Sequence, residues 1–298
     1  MAFEDRFTVI DSLEDSRVAP YMNLRERTLR GESLFIAEGA LVVERLLCSR
    51  FQVESILLTH KENGTAESVL ALASPNVPVY YLKDRQSINR LVGFQFHQGV
   101  LAVGRRASLP TLTEGMANYF SGVERRDLDS NLSVVERDAR SQRRAWVVLP
   151  DATKPDNLGL AFRCAAALDA EAVILGSQCC DPFSRRALRV SMGGVLQTPI
   201  YCANDLCEEM ATVRREWGVR FYATTLDRDS HPLTEYNAQR LTSERHVAFV
   251  FGNEYFGLTP EVVAACDAKL IIPMRSDVDS LNLGVSVGIF LYEFNRCP

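Results

Sequence analysis

The chain has 298 residues, 47% of them hydrophobic and 24% charged, with 33 Lys and Arg against 38 Asp and Glu for a net charge of -5. That composition excludes a disordered, collagen-like or coiled-coil chain, and the length suffices for two domains. No apolar run approaches the roughly 20 residues of a membrane span, and the acidic opening MAFEDRFTVIDSLEDSR lacks the basic start and apolar stretch of a signal peptide, so the sequence reads as a soluble cytoplasmic protein.

In chain order, residues 1–108 alternate short apolar runs with helical stretches. Strands are predicted at 34–36, 53–59, 77–82 and 99–103, with helices at 39–48, 67–73 and 85–91, which makes a smaller N-terminal α/β domain. Residues 109–144 change character, with six arginines matched by six acids, and read as a charged linker, a solvated spacer rather than an RNA-gripping arm. A second unit, 145–298, has strands predicted at 146–149, 172–175, 220–224, 246–251 and 270–273. Its helices fall at 159–168, 206–217, 260–266 and 283–295. Strand and helix in alternation imply a mostly parallel sheet covered on both faces. The two halves show no internal repeat.

Eight cysteines are scattered without a C-x-x-C pair, and none sits beside a histidine pair at metal-ligand spacing. They read as reduced thiols, and no metal site is expected. Twenty-nine of the 33 basic residues are arginines, whose forks suit phosphates, although GC-rich coding sequence also favours Arg. Residues 1–144 are balanced in charge and the acidic excess falls in 145–298, so any RNA contact must come from local patches rather than from a global field.

Three segments of the second unit depart from ordinary element boundaries. Lys154-Pro155-Asp156-Asn157-Leu158-Gly159 runs from a strand into a helix carrying Arg163, with Asn157 able to cap it. Val250 to Glu261 holds Gly252 and Gly257 around a polar pair, then Thr259-Pro260 starts a helix; loops at the carboxyl ends of parallel strands are where such sheets bind ligands. Ile271 to Ile289 ends in a helix with Gly284 and Gly288 four apart, each costing about 1 kcal/mol relative to Ala. That face must meet a close partner, be it backbone, another helix or a ligand. No G-x-G-x-x-G follows a first strand, and neither a phosphate loop, a G-x-S-x-G elbow nor an H-E-x-x-H occurs.

Together, NLGLAFR, FVFGNEYFGLTPEV and IPMRSDVDSLNLGVSVGIFLYE resemble, in order, the three signature motifs of the SpoU/TrmH family of RNA ribose 2'-O-methyltransferases within the SPOUT superfamily. FIAEGALVVERLL and HQGVLAVG are similar to the RNA-recognition domain that rRNA-modifying members carry ahead of the catalytic domain. The resemblance implies a trefoil-knotted C-terminal domain, S-adenosylmethionine as cofactor, and a homodimer whose interface would supply the partner for Gly284 and Gly288. It implies RNA as the substrate, rRNA in preference to tRNA, with neither a membrane nor DNA as partner. The alternatives are a tRNA 2'-O-methyltransferase and a non-catalytic RNA-binding protein on the same scaffold.

Carried onto this sequence, the family's catalytic positions match Arg163, Asn157, Glu254, Ser280 and Asn282. Gly252, Ile272 and Leu281 match cofactor-holding positions, with Leu226 and Met274 as additions, and Ser191 and Arg189 would frame the RNA side. Arg163 is then expected to clamp a phosphate and polarise the 2'-hydroxyl, because a guanidinium holds its proton too tightly to be a good base. Glu254 would orient Arg163 or Asn157, or hold the loop. Two departures stand out: Gly284 replaces the family's second serine, and Tyr255-Phe256 replace smaller residues after the acid of the second motif.

Overall fold

Short β-branched and aliphatic runs in the N-terminal third pair into one sheet, and the longer apolar runs after Arg143 pair into another. The computed structural model describes residues 6–24, 33–59, 65–122, 143–239, 244–275 and 280–296. By contacts the chain divides into one unit of residues 1–108 with 181–197 and a second of 109–180 with 198–298.

The first unit contains β1 (Thr8–Val9), β2 (Leu34–Glu38), α1 (Ala40–Leu47), β3 (Val53–Thr59), α2 (Thr65–Leu72), β4 (Val79–Leu82), α3 (Arg85–Val92) and β5 (Val100–Arg105). Its five strands lie in the order β1-β4-β3-β5-β2. β4 is parallel to β1 and β3, while β5 runs antiparallel to β3 and β2. Ile36, Leu57, Leu91 and Leu101 meet Val18 and Tyr21 in its core.

The second unit opens with α4 (Leu112–Ser121), where a charged linker was expected. Thr111 and Glu114 form a reciprocal cap, the Thr111 N–H donating to Glu114 Oε2 at 2.8 Å and the Glu114 N–H to Thr111 Oγ1 at 3.2 Å. Leu112 and Met116 are completely buried in the second unit's core, and the Tyr119 and Phe120 rings pack on Trp146 and Trp217. The T-x-x-E signal was present in the sequence; the dense charge that follows obscured it. Residues 123–142, the rest of that expected linker, lie outside the described residues.

Next come β6 (Arg144–Leu149), α5 (Pro155–Ala167) and β7 (Val173–Gly176), after which residues 181–197 join the first unit with α6 (Arg185–Val190) and α7 (Gly194–Gln197). There the Phe183 ring packs on Phe35 and Phe51 with centroids 5.2 and 5.3 Å apart, and Arg106 forks onto the Asp181 carboxylate at 2.9 and 2.6 Å. Ser191 departs from the expected RNA-facing role, while Arg189 stays exposed. Ser191 is completely buried with its hydroxyl donating to the Leu188 carbonyl at 3.0 Å, and Arg189 faces the buried Glu38 carboxylate at 3.6 Å.

The second unit resumes with β8 (Ile200–Ala203), α8 (Leu206–Trp217), β9 (Arg220–Thr224), β10 (His231–Pro232), α9 (Leu233–Gln239), β11 (His246–Phe251), α10 (Pro260–Ala264), β12 (Ala268–Ile271) and α11 (Leu283–Arg296). Seven strands lie in the order β10-β12-β9-β11-β6-β7-β8, and each neighbouring pair is parallel. The central strands are buried on both faces, which is why β6 and β11 read as continuous apolar runs. β8 and β10 were not foreseen. Both are short edge strands, and β10 is two residues ending in Pro232. The last strand begins and ends two residues earlier than expected, since Pro273 has no N–H for a ladder. No helix among the described residues is long and apolar enough to cross a membrane.

Gly284 packs closely on α5 within the chain, and Gly288 meets the same helix at ordinary contact distance. The Cys164 thiol of α5 donates to the Gly284 carbonyl at 3.1 Å. A Cβ on Gly284 would stand 2.4 Å from Leu160 Cβ and 3.1 Å from its carbonyl carbon, and one on Gly288 would stand 3.4 Å from Cys164 Sγ. Gly284→Ala gains about 1 kcal/mol of helix propensity but forces two packed helices apart, at about 1–3 kcal/mol. The contact is with Leu160 Cβ and backbone, not with a flexible side-chain end, so the clash wins. A Tm lower by several degrees is expected in calorimetry, and an equal or higher Tm would show that α5 and α11 separate freely.

Candidate functional site

The carboxyl ends of β9, β11 and β12 splay where their strands give way to loops, and a cavity of about 470 Å³ opens there. Leu226 after β9, Gly252 and Glu254 after β11, Ile272 and Met274 after β12, and Ser280 and Leu281 before α11 all line it. All five expected cofactor-holding residues therefore come together, joined by Glu254 and Ser280. Asn157, Arg163 and Asn282 are not in its walls.

The β11 loop forms because its glycines allow two backbone segments to touch. A Cβ on Gly252 would lie 2.4 Å from the Gly257 carbonyl carbon, and Gly257 takes a φ of +67°, a conformation that suits glycine. Asn253 and Gly257 exchange backbone hydrogen bonds at 2.9 and 2.8 Å. The buried Asn253 side chain accepts the Tyr255 N–H at 2.9 Å and donates to the Asp151 carbonyl at 3.2 Å. Sequence reasoning assigned Asn253 no role. Its place between a buried strand and a glycine turn, where a short amide can satisfy loop backbone, was the available signal.

Beside the cavity, three side chains form a directed chain. Glu254, as a carboxylate, only accepts, so the Asn157 amide must turn its NH2 to Glu254 Oε1. The Asn157 carbonyl then accepts from Asn282 Nδ2 at 2.9 Å, and Asn282 Oδ1 accepts the Gly284 N–H at 2.9 Å, capping the start of α11. Of the partners expected for Glu254, the structure brings Asn157 to its carboxylate, and no hydrogen bond to Arg163 forms among the described residues. Its other oxygen, Oε2, is buried and has no hydrogen-bond partner among the described residues. A buried acceptor of that kind costs about 1–3 kcal/mol until a donor arrives.

Arg163 lies six residues beyond Asn157 on α5, roughly 9 Å along the axis. Its side chain is exposed and makes no hydrogen bond or ion pair with a described residue.

A fully parallel sheet with a ligand-sized cavity at its strand ends and a polar chain at the rim defines an α/β ligand-binding domain. The chain belongs to the SpoU rRNA methylase family, whose model matches residues 144–292. A second model, RNA 2'-O ribose methyltransferase substrate binding, matches residues 36–110. An uncharacterized tRNA/rRNA methyltransferase of Mycobacterium tuberculosis is 33% identical over 284 residues, covering 95% of this chain and 88% of that protein. A 23S rRNA (guanosine-2'-O-)-methyltransferase of Acinetobacter baylyi is 29% identical over 239 residues, covering 80% and 87%. The AdoMet-bound rRNA methyltransferase from Sinorhizobium meliloti superposes with a TM-score of 0.74 at 24% identity over 98% of both chains, a likeness of fold.

Proposed function

We propose that this chain transfers a methyl group from S-adenosylmethionine to a ribose 2'-hydroxyl of RNA, with rRNA preferred to tRNA. The observation that carries the reading is the cavity at the ends of β9, β11 and β12 with the Asn282–Asn157–Glu254 chain beside it. Its volume falls in the range of about 300–1,000 Å³ typical of cofactor sites. Leu226, Ile272, Met274 and Leu281 offer apolar walls, and Gly252 keeps the β11 loop folded beside them. These residues fit S-adenosylmethionine, which when bound supplies a methyl group activated on a positively charged sulfur. Most of the rate then comes from holding the ribose hydroxyl in line.

In this reading Arg163 grips an RNA phosphate and polarises the hydroxyl. Its fork is always charged and cannot act as the base, so the proton leaves to that phosphate or to water. Asn157 is held in one orientation by its two partners, and Glu254 Oε2 is the acceptor left for a substrate donor. Ser280 presents a hydroxyl at the cavity and Asn282 anchors α11.

Residues 1–108 are proposed as the RNA substrate-binding domain and 145–298 as the catalytic domain, supported by the two family matches. A homodimer is proposed on the apolar groove along α11, where Val285 and Tyr292 are exposed beside Leu233, Pro273 and Ile289. A trefoil knot accords with α11 returning against α5 after β11 has inserted between β6 and β9. The proposed setting is the cytoplasm, with its RNA substrate.

The test is transfer of labelled methyl from S-adenosylmethionine to rRNA and tRNA from a host lacking this gene, followed by nuclease digestion and nucleoside mass spectrometry. A 2'-O-methylated nucleoside in the rRNA pool is expected. Label in tRNA alone would reverse the substrate preference. No transfer together with no cofactor binding would replace the enzyme with an RNA-binding scaffold.

A further inference from the structure

Tyr255 and Phe256 are the most exposed large hydrophobic side chains among the described residues, at 70% and 88%. Rings left this open forgo burial that would favour folding, yet the loop presenting them is firmly held. Asn253 Oδ1 accepts the Tyr255 N–H, and the Asn253–Gly257 backbone pair closes the turn behind both rings. Lys154 donates to the Tyr255 hydroxyl at 2.5 Å and stands 4.4 Å from its ring centroid, so a cation is fixed next to the aromatic pair. Both rings belong to the wall of the cavity at the ends of β9, β11 and β12.

We propose that Tyr255 and Phe256 form a stacking platform for an unpaired nucleobase of the RNA substrate, with Lys154 meeting the adjoining phosphate. The assignment rests on the methyl-transfer reading above and deepens it. A target ribose brought to the cavity carries its base and phosphates by covalent bonds, so those groups must come to rest on the rim. There the structure offers π-faces and a fixed positive charge. Stacking on aromatic side chains is how unpaired bases are held, and it tolerates any base because each has a flat face. The pair therefore sets a requirement for a single-stranded or extruded nucleotide, while base identity must be read elsewhere.

Phe256→Ala, Phe256→Trp and Tyr255→Ala test it, since side chains so exposed can be changed without disturbing the core. Binding and methyl transfer would be measured with rRNA from the host lacking this gene, alongside calorimetric titration with S-adenosylmethionine and sedimentation. Phe256→Ala is expected to weaken rRNA binding and raise its KM roughly 10- to 100-fold, a loss larger than any it causes in affinity for S-adenosylmethionine. Tyr255→Ala should act in the same direction, and Phe256→Trp should restore binding.

Unchanged rRNA affinity in both alanine variants overturns the platform. Loss of cofactor affinity in parallel with RNA affinity overturns it in favour of a lid over the cofactor. A changed oligomeric state with RNA affinity intact overturns it in favour of a contact between copies of the chain. A parent protein that transfers no methyl to either RNA pool defeats the functional reading and this assignment with it, whereas an active parent matched by both alanine variants defeats the assignment alone.

Discussion

Arg163→Ala is expected to lower methyl transfer by about 10²–10³-fold or more, the loss seen when one preorganised electrostatic partner of a transition state is removed. The same variant should keep its melting temperature and its affinity for S-adenosylmethionine. Arg163 is exposed, holds no described residue by a hydrogen bond or ion pair, and does not line the cavity. Alanine is moreover a strong helix former in the body of α5. The side chain therefore contributes little to folding, and any large effect must come from what it meets in the substrate complex. Arg163→Lys refines the test: it keeps the charge but loses the planar fork, so a clamp on two phosphate oxygens predicts only partial recovery. Single-turnover rates with saturating rRNA isolate the step, and Arg163→Ala activity within about fivefold of the parent would remove Arg163 from the mechanism.

Much of the second unit was legible because a parallel sheet buried on both faces writes its central strands as unbroken apolar runs. The stretch HVAFVF left little choice for β11, whose range His246–Phe251 agrees with the expected 246–251. The cavity residues were legible for another reason: ligand-binding loops carry glycines and polar residues where strands end, and motif order located them. The edge strands β8 and β10 were not legible: β10 has only two residues, and β8 follows two short helices with no alternation that marks it as a strand. Nor was α4, whose cap was outweighed by the charged stretch beyond it.

The glycine face of α11 shows a different limit. Spacing revealed that something must approach Gly284, but nothing in a sequence states which surface does so, and Leu160 and Cys164 of α5 occupy it. Ser191 shows the converse. A serine inside a motif-like stretch looks available for RNA, yet its hydroxyl is spent on a backbone carbonyl in the core.

Gly252→Ala is expected to reduce S-adenosylmethionine affinity and methyl transfer together by about 10²-fold or more, the cost of displacing site atoms by roughly 1 Å. The cause is space, not backbone conformation. An added Cβ would lie 2.4 Å from the Gly257 carbonyl carbon, 2.7 Å from the Leu258 nitrogen and 2.8 Å from Gly257 Cα. All three are backbone atoms, and Gly257 is tied back to Asn253 by two hydrogen bonds, so the turn cannot yield at one point. It must open as a whole, carrying Glu254 away from Asn157 and shifting a wall shared with Leu258 and Leu281.

Gly257→Ala is the informative control. No atom lies within 4 Å of its added Cβ, and only the φ of +67° opposes it, a penalty of about 1–2 kcal/mol. It should therefore lower stability modestly while leaving more of the cofactor affinity than Gly252→Ala does. Calorimetric titration with S-adenosylmethionine, with thermal unfolding of each variant in parallel, separates the two effects. Equal cofactor affinity in Gly252→Ala and the parent would mean that the β11 turn is not part of the cofactor wall.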